Sequence, residues 1–279
     1  KTSKQSMKNS FTQQLDNISP GSLAIVGVPY DAQSSFLSGC AEAPDLIIEA
    51  YHSDSSNYWT ELGYNLENDP AISFLGNLEI KEYFDIERGI DQILSAGGRT
   101  FSLGGDHSIT YPIMKAHAKK HDKLSILQLD AHGDLYQDFG GNPYSHACPF
   151  ARIMEDGLVD RLIQIGNRTL SKHQREQAKR FNVEIIEMKD WQRGQVLNLS
   201  GPLYISLDLD VLDPAFAPGI SHYEPGGMSS RDVLSIIHQI KVPIIGADIV
   251  EYNPTRDVHG MTAMVAARFL KEIIGKILS

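Results

Sequence analysis

The sequence predicts an α/β protein of three layers, in which helices cover both faces of a mostly parallel sheet. Apolar runs of four to seven residues alternate with helical stretches along the 279 residues, an order typical of βαβ units. The runs are apolar almost without interruption, as strands are when both faces of a parallel sheet are buried. No linker divides the chain, so we expect one domain over residues 21–279, preceded by a polar N-terminal arm or helix over residues 1–20.

Eight apolar runs are the predicted strands, and turn-forming residues separate them from the stretches between. The strands are predicted at residues 23–28, 72–75, 100–103, 124–129, 162–165, 183–186, 203–207 and 244–250. Helices are predicted near residues 45–52, 84–96, 109–120, 147–156, 172–181, 231–240 and 261–278. A strand that returns through a helix lies parallel to the strand before it, so the carboxyl ends share one edge of the sheet.

Composition and charge argue against several classes of protein. The formal net charge of −10 leaves no basic surplus to neutralise the phosphates of nucleic acid or of an anionic membrane, and it suits a small cationic substrate. The apolar runs fall well short of the ~20 residues that a membrane span needs. Two cysteines without a C-x-x-C pair predict neither a disulfide framework nor a thiolate metal site, and we expect a cytoplasmic location.

Acidic and histidine side chains follow four of the predicted strands. They are His107, Asp130, His132, Asp134, Asp208, Asp210 and Glu251. Each one alone is explained as well by a turn or a helix cap. Ligands of open parallel sheets bind beyond the carboxyl ends of the strands, where these side chains would meet. The carboxylates would repel one another strongly unless a cation lay among them, so the sequence predicts a metal site.

The number and type of these ligands favour two metal ions. Four aspartates and two histidines exceed the four ligands of a tetrahedral zinc site, whereas carboxylates with imidazoles suit two Mn²⁺-like ions. Asp130 and Asp208 come first in their motifs and are placed to bridge the ions. Two ions ~3.5 to 4 Å apart can share a water and lower its pKa, which indicates metal-assisted hydrolysis.

Five motifs around these residues occur in an order that resembles the ureohydrolase family, the arginases and agmatinases. They are G-G-D-H-S, L-D-A-H-G-D, S-H-A-C-P-F-A-R-I, S-L-D-L-D-V-L-D-P-A-F-A-P-G and G-A-D-I-V-E-Y-N-P. The resemblance extends from about residue 23 to the C-terminus. Within the family, plant-type arginases are most similar, through G-N-P-Y-S-H-A, G-I-S-H-Y-E-P-G-G-M-S and H-G-M-T-A-M-V-A-A.

The resemblance implies an arginase-like fold with an eight-stranded sheet and two Mn²⁺ ions per chain. Two ligand sets follow by motif: His107, Asp130, Asp134 and Asp208 for the first ion, and Asp130, His132, Asp208 and Asp210 for the second. The implied reaction is hydrolysis of a guanidino group to urea and a primary amine. Family members are commonly trimers or hexamers, which implies a homo-oligomer here.

The resemblance also assigns catalytic roles. Asp134 would accept a hydrogen bond from the hydroxide that bridges the metal ions. Glu251 would anchor the substrate guanidinium, because a planar cation and a carboxylate form directional, charge-assisted hydrogen bonds. His146 matches the histidine that carries a proton to the leaving amine, a role that suits the near-neutral pKa of imidazole.

L-Arginine is the favoured substrate, with agmatine as the alternative. The loop with Asn142 and Ser145 resembles the arginase segment that contacts the carboxylate and amine of an amino acid. His222 lies in the loop after the D-L-D motif, near the expected mouth of the site. Thr169 and Ser171 stand where animal arginases carry aspartates for the α-amino group, a departure that plant-type arginases share.

Three further alternatives remain open at this point. Hydrolysis of formiminoglutamate or another guanidino compound would require a cationic grip on the extra carboxylate of such a substrate. A single-metal deacetylase has a related sheet but would lack the six-ligand set. A non-catalytic module is expected to lack a ligand, and none is missing here.

Overall fold

One eight-stranded sheet runs through the protein, in a computed structural model that describes residues 11–15 and 18–279. Its strands are β1 (Leu23–Val28), β2 (Ile72–Asn77), β3 (Arg99–Gly104), β4 (Ser125–Leu129), β5 (Arg161–Ile165), β6 (Glu184–Ile186), β7 (Leu203–Asp208) and β8 (Ile244–Val250). They lie in the order β2-β1-β3-β8-β7-β4-β5-β6, and all neighbouring pairs are parallel. The predicted fold class is confirmed.

Helices cover both faces of this sheet. They are α1 (Phe11–Leu15), α2 (Ala43–Tyr51), α3 (Asp85–Ser95), α4 (Thr110–Ala118), α5 (Pro149–Glu155), α6 (Lys172–Arg180), α7 (Ser230–Gln239) and α8 (Met261–Leu278). One apolar core lies between the sheet and α2, α7 and α8, and the other between the sheet and α3, α4, α5 and α6. Successive strand residues such as Ile25 and Val26 enter opposite cores, which explains the unbroken apolar runs.

The strand order brings the polar strand ends together. β3, β8, β7 and β4 are consecutive neighbours at the centre of the sheet. His107, Glu251, Asp208 and Asp130 stand at or just beyond the ends of these four strands. Parallel neighbours lie only about 4.8 Å apart, so four central strands present their ends within one small area. Residues separated by more than a hundred positions therefore meet at one edge.

Asp134 and Glu251 have left-handed backbone conformations at this edge, with φ of 48° and 65°. Positive φ is uncommon outside glycine and costs conformational energy that the surrounding structure must offset. Such strain is concentrated at functional sites, where it re-aims a side chain. Both residues belong to the predicted site.

The ends of the observed strands and the seven longer helices lie within two residues of the predicted ends. The predicted arm over residues 1–20 falls largely outside the described residues, which retain α1 and residues 18–20 of it. The division into this arm and a domain of residues 21–279 stays a prediction. Of the helices in the described residues, none combines the length and apolarity needed to cross a membrane.

Candidate metal centre

His107 faces three carboxylates beyond the end of β3. Its ring is buried, and Nδ1 lies 3.1 Å from Asp130 Oδ2, 3.0 Å from Asp134 Oδ2 and 3.1 Å from Asp208 Oδ2. Within the described part of the chain, this nitrogen has no hydrogen-bond partner of acceptable geometry. One imidazole nitrogen thus shares a small space with three acidic groups.

His132 begins a second group of ligand atoms next to the first. Its Nδ1 lies 2.8 Å from Asp210 Oδ2 and 3.5 Å from Asp130 Oδ1. Asp130 therefore directs one oxygen to each histidine, which is the placement that a bridging carboxylate needs. Asp130 is also shared by the two sets of atoms whose spacing could hold a metal ion.

The hydrogen bonds of His107 show that the first group suits a cation. The Ser206 hydroxyl donates to Asp248 Oδ1 at 2.7 Å, which leaves its oxygen to accept the Nε2–H of His107 at 2.9 Å. Burial lowers the pKa of His107, but Asp130, Asp134 and Asp208 outweigh burial and raise this pKa well above its usual range, so the three carboxylates favour a positive charge at Nδ1. When Nδ1 loses its proton, its lone pair faces all three carboxylates. A cation resolves this repulsion, and carboxylate oxygens with imidazole nitrogens are ligands for ions such as Mn²⁺.

The pKa values of the aspartates lead to the same conclusion. Burial and the charge of Asp130 raise the pKa of Asp134 to about 6. Burial and the charge of Asp210 raise the pKa of Asp208 well above its usual range. Desolvation and like charges both disfavour ionised carboxylates, whereas a bound cation favours them. The cluster is therefore more readily ionised with a metal than without one.

Glu251 and His146 form a buried pair beside these ligands. His146 Nδ1 lies 2.9 Å from Glu251 Oε1, which also accepts the backbone N–H of His107 at 2.9 Å. The backbone N–H of Ser35 donates to His146 Nε2 at 3.1 Å. Burial lowers the pKa of His146, but the charge of Glu251 outweighs burial and raises this pKa to about 9. Burial raises the pKa of Glu251, but the charge of His146 and its hydrogen bond outweigh burial and lower this pKa to about 2.

A cavity of about 210 Å³ opens onto both groups. The predicted site residues that line it are His132, Asp134, His146, Asp208, Asp210, His222 and Glu251. The His222 ring packs between two of them, with its centroid 5.8 Å from that of His132 and 5.3 Å from that of His146. His222 thus lies at the cavity beside two other predicted site residues, and its contact with substrate stays a prediction.

Asn142 and Ser145 are not among the residues that line this cavity. Asn142 Nδ2 donates to Gln33 Oε1 at 2.6 Å. Ser145 is only 3 % exposed, and its hydroxyl oxygen accepts the backbone N–H of Ala147 at 3.4 Å. Both side chains support the loop that carries His146, and their contact with substrate stays a prediction.

Several residues of the site escaped the sequence reasoning. Ser35, Gln174 and Glu224 line the cavity, although they come from three separate segments. Glu224 lies inside the G-I-S-H-Y-E-P-G-G-M-S motif, which was an available signal, whereas the loop that carries Ser35 has no motif. Ser206 had a signal as well, because it is a polar residue inside an apolar strand two positions before Asp208.

Comparison with known proteins decides the family. The model of the arginase family matches residues 21–275. This chain belongs to the arginase family. Among its relatives, the mitochondrial arginase 1 of Arabidopsis thaliana is 44 % identical over 277 residues, which span 92 % of this chain and 81 % of that protein. The structure of an arginase from Medicago truncatula matches with a TM-score of 0.88 at 39 % identity, covering 96 % of this chain and 91 % of that one.

Membership of the arginase family confirms the predicted enzyme class, a ureohydrolase. The arginase fold brings together two groups of metal-ligand atoms, in keeping with a metal-dependent enzyme that acts on guanidino compounds. A deacetylase or a non-catalytic module is not favoured. The predicted homo-oligomer stays a prediction.

The expected cytoplasmic location is wrong. Arginase 1 of Arabidopsis thaliana is a mitochondrial protein, and its arginase 2 is chloroplastic or mitochondrial. Our expectation came from the two unpaired cysteines, Cys40 and Cys148. Free thiols indicate a reducing environment but do not identify a compartment. They could therefore not distinguish the cytoplasm from the interior of an organelle.

Proposed function

We propose that this protein is a manganese-dependent arginase that hydrolyses L-arginine to L-ornithine and urea. The observation that carries the proposal is the position of His107 Nδ1, which lies 3.0 to 3.1 Å from three carboxylates beneath the cavity. The similarity to plant arginases supports arginine as the substrate.

The ligand atoms divide into two sets around Asp130. We assign His107, Asp130, Asp134 and Asp208 to one Mn²⁺ ion and Asp130, His132, Asp208 and Asp210 to the other. The two histidines present Nδ1 to the carboxylates, and Ser206 holds the opposite nitrogen of His107. When bound, the two ions supply Lewis-acid activation of water for attack on the guanidinium carbon.

Glu251 supplies the anchor for the guanidinium group. Its Oε1 is occupied by the His107 N–H and by His146, while the one hydrogen-bond donor to Oε2 among the described residues is the thiol of Cys40 at 3.6 Å. A thiol is a weak donor, so Oε2 retains capacity to accept from a guanidinium N–H. Because the Glu251 carboxylate is buried, its charge-assisted hydrogen bonds to the cation are stronger than they would be in water.

His146 completes the proton balance of the reaction. The oxygen of water forms a bond to the guanidinium carbon and becomes the carbonyl oxygen of urea, the bond from that carbon to the chain nitrogen breaks, and the two protons lost by water are balanced by the two that this nitrogen gains as it leaves as an ammonium group. His146 lines the cavity and holds a proton at Nδ1 against Glu251. We assign it the delivery of a proton to the leaving nitrogen, with Asp134 orienting the attacking water.

A urea-release assay tests the substrate. The manganese-loaded protein is given L-arginine, agmatine and 4-guanidinobutyrate in turn, and formiminoglutamate is assayed by glutamate release because its hydrolysis yields formamide instead of urea. Urea and ornithine from arginine, at the highest kcat/KM of the four compounds, are the expected result. A higher kcat/KM for agmatine, with putrescine as product, would replace arginase by agmatinase. Absence of turnover with every compound would overturn the proposed reaction.

Two ligand variants test the metal centre. His107→Ala and Asp134→Asn should lower bound manganese and urea release together, because each removes a ligand of the same proposed ion. Manganese per chain is measured by elemental analysis after dialysis. Full activity in either variant at reduced manganese content would contradict the proposed ligand sets.

A further inference from the structure

Glu224 presents a carboxylate at the cavity that no other group engages closely. Its side chain is 34 % exposed, and its nearest charged neighbour is His132, whose Nε2 lies 3.7 Å from Oε1. Among the described residues, no donor forms a hydrogen bond with this carboxylate. The other carboxylates of the lining are either metal-ligand candidates or, in the case of Glu251, paired with His146. Of the carboxylates that line the cavity, Glu224 is therefore the one available to bind a cation that enters from solution.

The backbone of Glu224 is held rigidly. The Arg168 guanidinium donates to the Glu224 carbonyl from Nε at 2.8 Å and from Nη2 at 2.6 Å. The same group donates to the carbonyls of Asp210 at 2.7 Å and Leu212 at 3.2 Å, which follow β7. Arg168 thus ties the loop of Glu224 to the strand end that carries Asp210.

Close packing holds the same loop a few residues later. A Cβ atom at Gly227 would come within 2.6 Å of the backbone nitrogen of Asp213, so the loop can approach only because this residue is glycine. Asp213 Oδ2 also accepts the backbone N–H of Gly226 at 2.7 Å. These contacts fix the backbone at Glu224 and just after it, so the side chain of Glu224 starts from a defined position at the cavity.

We propose that Glu224 binds the ammonium group at the far end of the substrate, and so selects amino-guanidines over guanidino acids. This inference rests on the proposed function and deepens it. Arginine and agmatine both carry an ammonium four carbons away from the guanidino nitrogen. 4-Guanidinobutyrate carries a carboxylate at that end, which Glu224 would repel. The negative charge of Glu224 at the mouth of the cavity therefore attracts arginine and agmatine and disfavours 4-guanidinobutyrate.

A rival role for Glu224 is to orient His132. Carboxylates commonly accept the free N–H of a metal-ligating histidine and so strengthen metal binding. The 3.7 Å separation is longer than a hydrogen bond, which argues against this role. The two roles also differ in what they predict, because loss of His132 orientation would weaken metal binding and impair all substrates alike.

Glu224→Gln separates the two roles, and Glu176→Gln serves as the matched control. Glu176 is an exposed carboxylate on α6 that does not line the cavity, so its removal changes the net charge equally. We measure kcat, KM and bound manganese with arginine, agmatine and 4-guanidinobutyrate. If 4-guanidinobutyrate releases no urea, its inhibition constant against arginine is measured instead.

The expected result for Glu224→Gln is a rise of about tenfold or more in KM for arginine and agmatine, since the substrate ammonium loses its negatively charged partner. kcat and bound manganese should stay near wild-type values, and 4-guanidinobutyrate should bind as well as before or better. Glu176→Gln should behave as wild type. Equal losses for all three compounds with reduced manganese, or no change in KM, would overturn the role of Glu224. Urea release from arginine by the wild-type protein tests the proposed function separately.

Discussion

Ser206 holds the ring of His107 in place, with its hydroxyl oxygen 2.9 Å from Nε2 and a bond to Asp248 at 2.7 Å beyond it. Asp248 in turn accepts from Thr110 and Tyr204, each at 2.9 Å. This buried chain decides which nitrogen of His107 keeps its proton. It therefore determines that Nδ1 is the nitrogen that faces the carboxylates.

Ser206→Ala should weaken manganese binding by about 10- to 100-fold, the usual cost of losing the partner of a ligating histidine. The reason is that His107 would no longer be held in one orientation or tautomer. Metal titration of the chelator-treated protein measures the effect. Ser235→Ala is the control, because the Ser235 hydroxyl bonds only to the exposed backbone of its own helix. Unchanged affinity in Ser206→Ala would show that Asp248 does not act on the metal through Ser206.

Glu251→Gln should lower kcat/KM for arginine by about 100-fold, because loss of one charge from a buried ionic contact costs roughly 2 to 5 kcal/mol. The amide keeps the size of the side chain but loses the negative charge that meets the guanidinium. Steady-state urea release measures the change, and elemental analysis should give the manganese content of wild type. A variant that keeps its kcat/KM would show that the guanidinium binds elsewhere.

His117 should make the protein less stable in acid. It is fully buried against Thr100, with Nε2 2.8 Å from the hydroxyl, and burial lowers its pKa from 6.5 to about 3. As the pH falls below 6.5, His117 is therefore protonated in the unfolded chain while it stays neutral in the folded protein. The free energy of unfolding should then decrease by up to about 1.4 kcal/mol per pH unit until the pH approaches 3.

His117→Gln removes this titration and tests it. Urea denaturation between pH 7 and pH 4 should show a shallower decrease in the free energy of unfolding for the variant than for wild type. His259→Asn, which changes an exposed histidine, should retain the wild-type slope. Equal slopes for wild type and His117→Gln would mean that other groups cause the acid sensitivity.

Arg168→Lys should loosen the loop that carries Glu224. An ammonium cannot reproduce the guanidinium fork that contacts Glu224, Asp210 and Leu212, so we expect a loss of about 3 kcal/mol in the free energy of unfolding. KM for arginine should rise as well. Arg175→Lys, which alters an exposed pair with Glu187, should leave the stability close to that of wild type. A stable Arg168→Lys variant would show that the loop is held by its glycine packing alone.

The eight strands were predictable because a parallel sheet covered on both faces buries nearly every strand residue. Its strands therefore appear in the sequence as short, almost uninterrupted apolar runs. The ends of strands such as β7 and β8 lie within one residue of the predicted ends. The metal ligands were predictable for a related reason. One aspartate or histidine just beyond a buried strand is explained by a turn or a helix cap, but carboxylates gathered after four strands would repel one another without a cation, so the set indicates a metal site.

The surroundings of those ligands were not predictable, because they depend on contacts between distant loops. Ser35 meets His146 across 111 residues, and Arg168 meets the Glu224 carbonyl across 56. Neither pair leaves a periodic pattern in the sequence. The bond from the Asn142 amide to Gln33 joins two such loops across 109 residues, and the predicted contact of Asn142 with substrate stays a prediction.

The sequence by itself determined an α/β fold with acidic and histidine candidate ligands at one edge of its sheet, since strand patterns and strand-end chemistry are local properties, and its motifs added the resemblance to the ureohydrolase family. Only the tertiary structure decided how those ligands are used. The order β3-β8-β7-β4 places four strand ends side by side, Ser206 selects the proton position on His107, and Arg168 fixes Glu224 at the mouth. These relationships depend on distances in space between residues far apart in the chain, and local residue preferences do not encode them.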